Sequence, residues 1–589
     1  MTRPVYPGRH IVAETEWNNY LYRRNVFGGR TYGEITFLKD FKLTANFAAD
    51  ITNYEEQTYE NTQVGDGAPA GRAGRVLYNL TSYTANQLLN YNRTLAGVHT
   101  VDALLGHENY SRSRDYLSGS KSGEVIADNT ELQNFSTINN FNTYLQEHRI
   151  ESYFGRANYT FNDKYTVSAS YRRDGSSRFY KDVRWGSFWS VGGSWRLDQE
   201  TFFTKPNWVD MVKLRSSYGQ VGNENLENGD GSQYYAWQAL YTLGQNNAAE
   251  PGFSQATLGN RGLVWEKNNS FDAGIEFALL KNRLNGSAEY FKRTSEDLLF
   301  EVQLPLSSGV ANRIENVGAM YNQGVELRLA GDIIKTDAFT WNLDVNWTTF
   351  KNKITKLPYP ELVSGTKKLK VGEDLQAFWL REYYGVDPEN GNALYRAITY
   401  NEANSKIIGS DTVTWNANNG RFHYAGTAIP KFSGGFTNTF SFKGITLSAL
   451  VTYSVGGKFY DGQYATLMNH GTYGGAMHKD MLDRWQNPGD ITDVPKLQVG
   501  NTANLAAASD RWLVDASYLN FRSVSLSYNI PAPLTTRLKL RNVNIFATGE
   551  NLALVSKRKG MNVAQTFSGT TSAVYVPARV LSLGLNLSL

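Results

Sequence analysis

Apolar and polar residues alternate along most of this chain with a period of two. The clearest case is the last stretch, VLSLGLNLSL, where Leu581, Leu583, Leu585, Leu587 and Leu589 interleave with Ser582, Gly584, Asn586 and Ser588. A strand sends successive side chains to opposite faces, so this stretch has one leucine face and one small polar face. Farther upstream Phe339, Trp341, Leu343, Val345 and Trp347 alternate with Thr340, Asn342, Asp344 and Asn346. The pattern recurs around Phe41–Ile51, Tyr165–Arg172, Trp189–Leu197 and Ile445–Tyr453. Helical periodicity is scarce, and its clearest candidate is a short segment near Trp208–Lys213. Such a chain is all-β, and each strand must meet two different environments.

The apolar environment is either a protein core or lipid. Connection lengths decide between them. Short connections are expected at 39–40, 162–164, 280–282, 332–337, 387–391 and 443–444. Long ones are expected at 52–83, 111–150, 223–262, 296–323, 400–427, 457–510 and 554–577. Tight turns on one side and long loops on the other are the pattern of an up-and-down outer-membrane barrel, with the turns periplasmic and the loops extracellular. Strands of about ten residues suit a tilted bilayer crossing. Trp189, Trp195, Trp341 and Trp347 fit interfacial aromatic girdles. A soluble propeller or β-helix would show a fixed repeat and shorter strands, and neither is found. The reading is a transmembrane antiparallel β-barrel with about nineteen strands. The leucine face of the last stretch is then its lipid face.

Composition removes other classes. The formal charge of +4 on 589 residues is too balanced for nucleic-acid binding. No cysteine is present, which excludes disulfides and thiolate chemistry. No apolar run reaches the roughly 18 residues of a transmembrane helix, and the opening MTRPVYPGRH is not a signal peptide.

Six longer segments carry a family resemblance. They are YRRDGSSRF (171–179), KLRSSYGQVGNENL (213–226), ENVGAMYNQGVELRL (315–329), DRWQNPGDITDVPKL (483–497), DASYLNFRSVSLSYNIP (515–531) and FATGENLALVSKRKGMNV (546–563). In this order they resemble the SusC/RagA family of TonB-linked outer-membrane proteins, over nearly the whole chain. The resemblance implies a plugged 22-stranded barrel in the outer membrane of Bacteroidetes. It implies import of large nutrients, oligosaccharide or peptide, with a SusD-like surface lipoprotein as lid and TonB as the source of energy. No plug or TonB box is recognisable here. The expectation is therefore a C-terminal barrel portion: about nineteen strands of 22, with residues 1–30 a lead-in and 31–589 the barrel. TonB would act through an N-terminal region not in this chain, and an isolated partial barrel would leave two open edges. The barrel would also contact outer-membrane lipid and lipopolysaccharide. The alternatives are a passive pore or structural fragment and, last, a barrel-embedded hydrolase.

No catalytic residue, metal site or cofactor is expected. There is no G-x-S-x-G, complete P-loop or H-E-x-x-H. GGKF at 456–459 and GDGAPAG at 65–71 miss the phosphate-loop spacings. His99 and His107 share a strand face but lie too far apart to share a metal, and His470 and His478 lie in one loop. DPENG at 387–391 resembles a calcium-loop fragment, yet a plain turn explains it better. Ligand contacts are sought among loop aromatics, which offer apolar faces to sugar rings or peptide side chains. The candidates are Tyr234, Tyr235, Trp237, Tyr241, Trp415, Phe459, Tyr460 and Tyr473. Loop packing or contact with the lipoprotein lid is the competing explanation for each.

Overall fold

The computed structural model describes residues 10–225, 232–248, 250–468, 476–536, 539–571 and 576–588. Tyr473 and His470 lie outside them. Seventeen strands form one large sheet among the described residues. They are β1 (Asn19–Phe37), β2 (Phe41–Glu60), β3 (Arg72–Leu95), β4 (His99–Glu124), β5 (Phe135–Phe161) and β6 (Tyr165–Ser176). Next come β7 (Trp185–Arg196), β8 (Val209–Asn223), β9 (Glu266–Leu279), β10 (Leu284–Gln303), β11 (Asn312–Lys335) and β12 (Phe339–Lys356). The last are β13 (Phe432–Phe442), β14 (Ile445–Val455), β15 (Tyr518–Asn529), β16 (Asn542–Ser556) and β17 (Val580–Ser588). A short helix, α1 (Ile11–Trp17), precedes β1.

Consecutive strands pair antiparallel from β1 to β6 and from β11 to β17. Connections alternate in length as expected. The tight turns use left-handed residues at Leu38 and Lys39, Asn162 and Asp163, and Lys443 and Gly444. Those dihedrals match the right-handed twist of the strands they join. The four connections of more than 20 residues, 224–265, 357–431, 456–517 and 557–579, all follow even-numbered strands, while 197–208 and 530–541 after β7 and β15 break the strict alternation.

Four expectations change. The sheet has seventeen strands rather than about nineteen because residues 357–431 do not cross. They fold into small sheets, one holding Glu361–Ser364, Lys367–Lys370, Ala377–Arg381 and Phe422–Thr427, the other Tyr383–Val386, Ala393–Arg396, Ser405–Ile408 and Asp411–Thr414. DPENG turns a hairpin of the second sheet instead of joining two long strands. The connections expected at 52–83 and 111–150 shrink to 61–71 and 125–134, because β3, β4 and β5 run for 24, 26 and 27 residues. The helix expected near Trp208–Lys213 is the start of β8. Asp198 Oδ1 accepts from the Val212 amide at 3.1 Å and Asp210 Oδ2 from the Asn282 amide at 2.8 Å, which hold that segment extended.

By contact density the chain divides into Met1–Ser194, Ser217–Asn269 and Ser295–Gly318, and the remainder. In the first part, Val101, Ala103 and Leu105 of β4 share a face with Ala157 and Gly155 of β5 and Leu89 of β3. Aromatics edge this apolar band. Phe41 lies 4.8 Å from Tyr91 and His99 lies 5.1 Å from Phe161 at the tight-turn end. Phe47 lies 6.2 Å from Tyr83 and His107 lies 4.8 Å from Tyr153 at the other. His99 and His107 stand about 26 Å apart along the strand, close to the height of a barrel's apolar belt. Each histidine bonds its own neighbour, His99 to Tyr159 and His107 to Gln87, both at 2.8 Å.

The second part repeats the arrangement. Trp341 stacks 5.7 Å from Phe440 at the turn end, and Trp347 lies 6.2 Å from Phe432 at the far end. Between them run Leu343 and Val345, with Leu447, Ala449 and Val451 on β14. Leu581 and Leu583 are 76% and 82% exposed, so no described part of this chain covers the leucine face. The opposite face is a mat of small polar groups. Thr439 meets Ser448 at 3.3 Å, Ser441 meets Thr446 at 3.2 Å and Asn544 donates to Asn529 at 2.7 Å. Gly584 sits on this face because a Cβ there would come within 2.2 Å of the Phe546 ring.

Candidate functional site

The long connections carry the candidate residues. In the first part, the 224–265 connection is pinned to β5 and to the 177–184 turn. Phe179, Phe188, Leu263 and Trp265 form its buried apolar centre. Beside that centre His148 Nε2 stands 2.9 Å from Glu224 Oε1, and both side chains are largely buried. Burial pushes the Glu224 carboxyl up. The bond to His148, the His148 charge, Ser176 and the Arg178 charge outweigh it, so Glu224 lies below the usual glutamate value.

Tyr234, Tyr235 and Trp237 belong to this assembly. Tyr234 is 6% exposed and lies under the Arg178 guanidinium, 4.7 Å from its ring centre. The Tyr235 hydroxyl accepts from the Glu147 amide at 3.0 Å. The Trp237 indole donates to the Ser177 carbonyl at 3.3 Å and packs 5.4 Å from Tyr180. Tyr241 differs. It is 56% exposed, edge-on to Phe253 at 5.5 Å, in the hairpin of Leu240–Leu243 and Phe253–Thr257.

In the second part, Phe459 is fully buried in the short strand Lys458–Tyr460, which pairs with Leu513–Asp515. Burial raises the Tyr460 hydroxyl to about 12. Trp415 is half-buried in the second small sheet's connection. Tyr234, Tyr235 and Trp237 thus come together in one packed assembly of the first part, and Phe459 and Tyr460 share one short strand of the second. DPENG takes no metal geometry: Asp387 accepts from the Glu389 amide and the Asn390 side chain, and Lys406 Nζ lies 2.8 Å from its Oδ2. Lysine stands where a cation ligand set would need a metal. No metal-binding cluster occurs among the described residues.

Two features escaped the sequence reading. One is a row of tyrosines on the polar face of β2 to β5. Tyr54, Tyr78, Tyr116 and Tyr144 are direct register partners in sequence across the sheet. Tyr54 stacks on Tyr78 at 4.6 Å and Tyr116 on Tyr144 at 4.5 Å. Arg114 bridges the middle, 4.8 Å from the Tyr78 ring and 5.2 Å from the Tyr116 ring. Only pairing register could have shown it. The other is a half-buried helical segment, Gly462–Leu467, around Tyr464. Its hydroxyl donates to Asp480 at 2.8 Å, its ring faces the Arg558 guanidinium at 4.0 Å, and Arg558 donates to buried Asp461 at 2.8 Å. Burial, then the Asp480 bond, lifts the Tyr464 hydroxyl to about 12.

Comparison with known proteins identifies the frame that carries these loops. The TonB dependent receptor-like β-barrel family model matches residues 4–552. TonB-dependent receptor P39 of Formosa agariphila is 27% identical over 89% of this chain and 54% of its own length. TonB-dependent receptor SusC of Bacteroides thetaiotaomicron is 26% identical over 94% of this chain and 54% of its own length. The solved RagAB peptide transporter superposes with a TM-score of 0.85 at 26% identity, covering 97% of this chain and 63% of that one. The chain thus spans a little over half the length of the curated relatives it matches. With an apolar belt edged by aromatics, alternating turn lengths and this match, the chain belongs to the TonB-dependent receptor β-barrel family of the bacterial outer membrane, in its SusC/RagA branch.

Proposed function

We propose that this chain is the barrel portion of an energised importer for large nutrients, oligosaccharide or peptide. A SusD-like surface lipoprotein would cap its extracellular end, and TonB would act through a segment outside residues 1–589. One observation carries the reading: the connections at 357–431 and 456–517 fold together at the long-connection end, around one buried centre they share (Ala393, Tyr395 and Ala417 with Leu505 and Ala507) and a second around Trp512. A simple diffusion pore needs no such structures. The likeness to SusC and to the RagAB peptide transporter supports the same reading.

Within it, Tyr241 and Trp415 are the aromatics left to meet ligand or lid. Tyr234, Tyr235, Trp237, Phe459 and Tyr460 would set loop shape, and Tyr473 stays a candidate. The test is uptake by cells carrying the full-length receptor. Labelled oligosaccharide or peptide should enter, and collapse of the proton-motive force should stop it. Uptake that continues without energy would identify a passive pore instead.

A further inference from the structure

The helix Gly462–Leu467 and the 557–579 connection border a concavity of about 540 Å³ at the long-connection end. Small-molecule sites commonly hold roughly 300–1,000 Å³. Arg558 is fixed in its wall from two sides. Its Nε donates to Asp461 Oδ2 at 2.8 Å, and its guanidinium lies 4.0 Å from the Tyr464 ring centre. Asp461 is 2% exposed, and its other oxygen accepts from the Tyr464 amide at 2.8 Å. The terminal nitrogens of Arg558 have no hydrogen-bond partner among the described residues.

Two more donors border the same space. Lys559 has no hydrogen bond or ion pair among the described residues. His478 accepts from the Asp480 amide through Nδ1 at 3.2 Å, and its Nε2 has no partner among them. Asp461 is the one carboxylate in the described wall, and Arg558 already matches it. The charge of Lys559 is therefore uncompensated. An arginine held through Nε turns its two terminal nitrogens outward together, which suits a carboxylate or sulfate gripped by parallel bonds.

The remaining wall selects what carries the anion. Gln463, Asn562 and Gln565 supply amides, which both donate and accept, as sugar hydroxyls do. No described strand contributes to the wall, so an extended peptide finds no sheet edge to join. We propose that this concavity binds an acidic sugar unit of an oligosaccharide, with its carboxylate or sulfate on Arg558 and Lys559. The proposal rests on the import reading above and narrows its substrate to acidic oligosaccharides.

The test measures binding by the full-length receptor in detergent, which needs no energy source. An array of neutral, uronate-bearing and sulfated oligosaccharides is the probe. Binding should be confined to acidic members. The carboxyl-reduced or desulfated form of a bound member should bind at least about tenfold more weakly. Arg558→Gln should weaken binding by a similar factor. Lys559→Gln disturbs no protein partner and should weaken it about three- to tenfold, which separates lost charge from a misfolded wall. Lys443→Gln, in a tight turn at the other end of the sheet, should change nothing. Binding of no acidic member, equal binding of neutral ones, or unaltered affinity in the Lys559 and Arg558 variants would overturn the proposal. So would displacement of the bound sugar by oligoglutamate at equal concentration, since the site would then take peptides. Energised uptake without acidic-sugar binding removes this proposal alone, and acidic-sugar binding with uptake that ignores energy removes the import reading alone.

Discussion

The carboxylate of Glu224 and the imidazole of His148 meet at 2.9 Å beside the ring of Tyr234, over which the Arg178 guanidinium lies at 4.7 Å. The buried carboxylate thus packs against Tyr234 and Arg178 of the described segments. Its folded pKa lies below the ordinary value of 4.5, so its stabilising effect is complete above that value. It is lost as pH falls through the depressed folded value. Hydrogen exchange at Tyr234–Trp237 is expected to rise on acidification below about pH 4.5, ahead of exchange in β3 to β5. Glu224→Gln should favour local opening by roughly 1–3 kcal/mol at neutral pH. Exchange in this segment that ignores both pH and the substitution would refute the coupling.

Lys406 is the counter-charge of a fully buried carboxylate, Asp387. Lys406→Ala should destabilise the small sheet at Tyr383–Thr414 by about 3–5 kcal/mol, as for other broken buried pairs. Calcium should not rescue it, because the ligands around Asp387 are amide donors and a lysine. Limited proteolysis of 383–414 with and without calcium distinguishes the two cases.

Leu583 and Ser582 are neighbours on opposite faces of β17. Leu583→Arg near mid-belt is expected to cost about 2–4 kcal/mol in refolding from denaturant into vesicles. Ser582→Arg, beside Thr548 on the polar face, should cost much less. Equal penalties would mean that the leucine face does not meet lipid.

The tyrosine row gives a fourth test. Arg114→Ala removes the cation between Tyr78 and Tyr116, worth about 1 kcal/mol or somewhat more where desolvated. Exchange should rise in the far halves of β3 and β4 and stay unchanged in the belt around Val101–Leu105.

Gly584→Val should push the Phe546 ring off β17 and cost about 1–3 kcal/mol by overpacking. Thermal unfolding of the receptor followed by gel mobility would report it.

Where lipid touched one face and small polar groups the other, the sequence was readable: Leu343 and Val345 against Asn342 and Asp344 left no ambiguity. Beyond the belt the rule failed for a physical reason. Asn109, Ser111, Ser113 and Asp115 of β4 share the face that Val101, Ala103 and Leu105 occupy lower down. Water on that face removes the alternation, so strand looks like loop. Valine and methionine spaced by Asp210 fit two periods over so few residues, which produced the false helix at Trp208. The candidate aromatics were recognisable as loop residues. Burial decides their availability, and that depends on Arg178, Ser177 and Glu147, distant partners that no local pattern names.

Strand β5 is 27 residues long. At ~3.3 Å per residue it measures about 90 Å, and a 45° tilt leaves roughly 60 Å of height. The hydrocarbon belt uses about 25 Å of that. More than half of β5 therefore stands outside the hydrocarbon, whereas strands of 11 or 12 residues such as β6 and β13 little more than span it. Under the import proposed above, a bulky solute would meet the protein at the rim of this extended stretch and not at an opening level with the membrane surface.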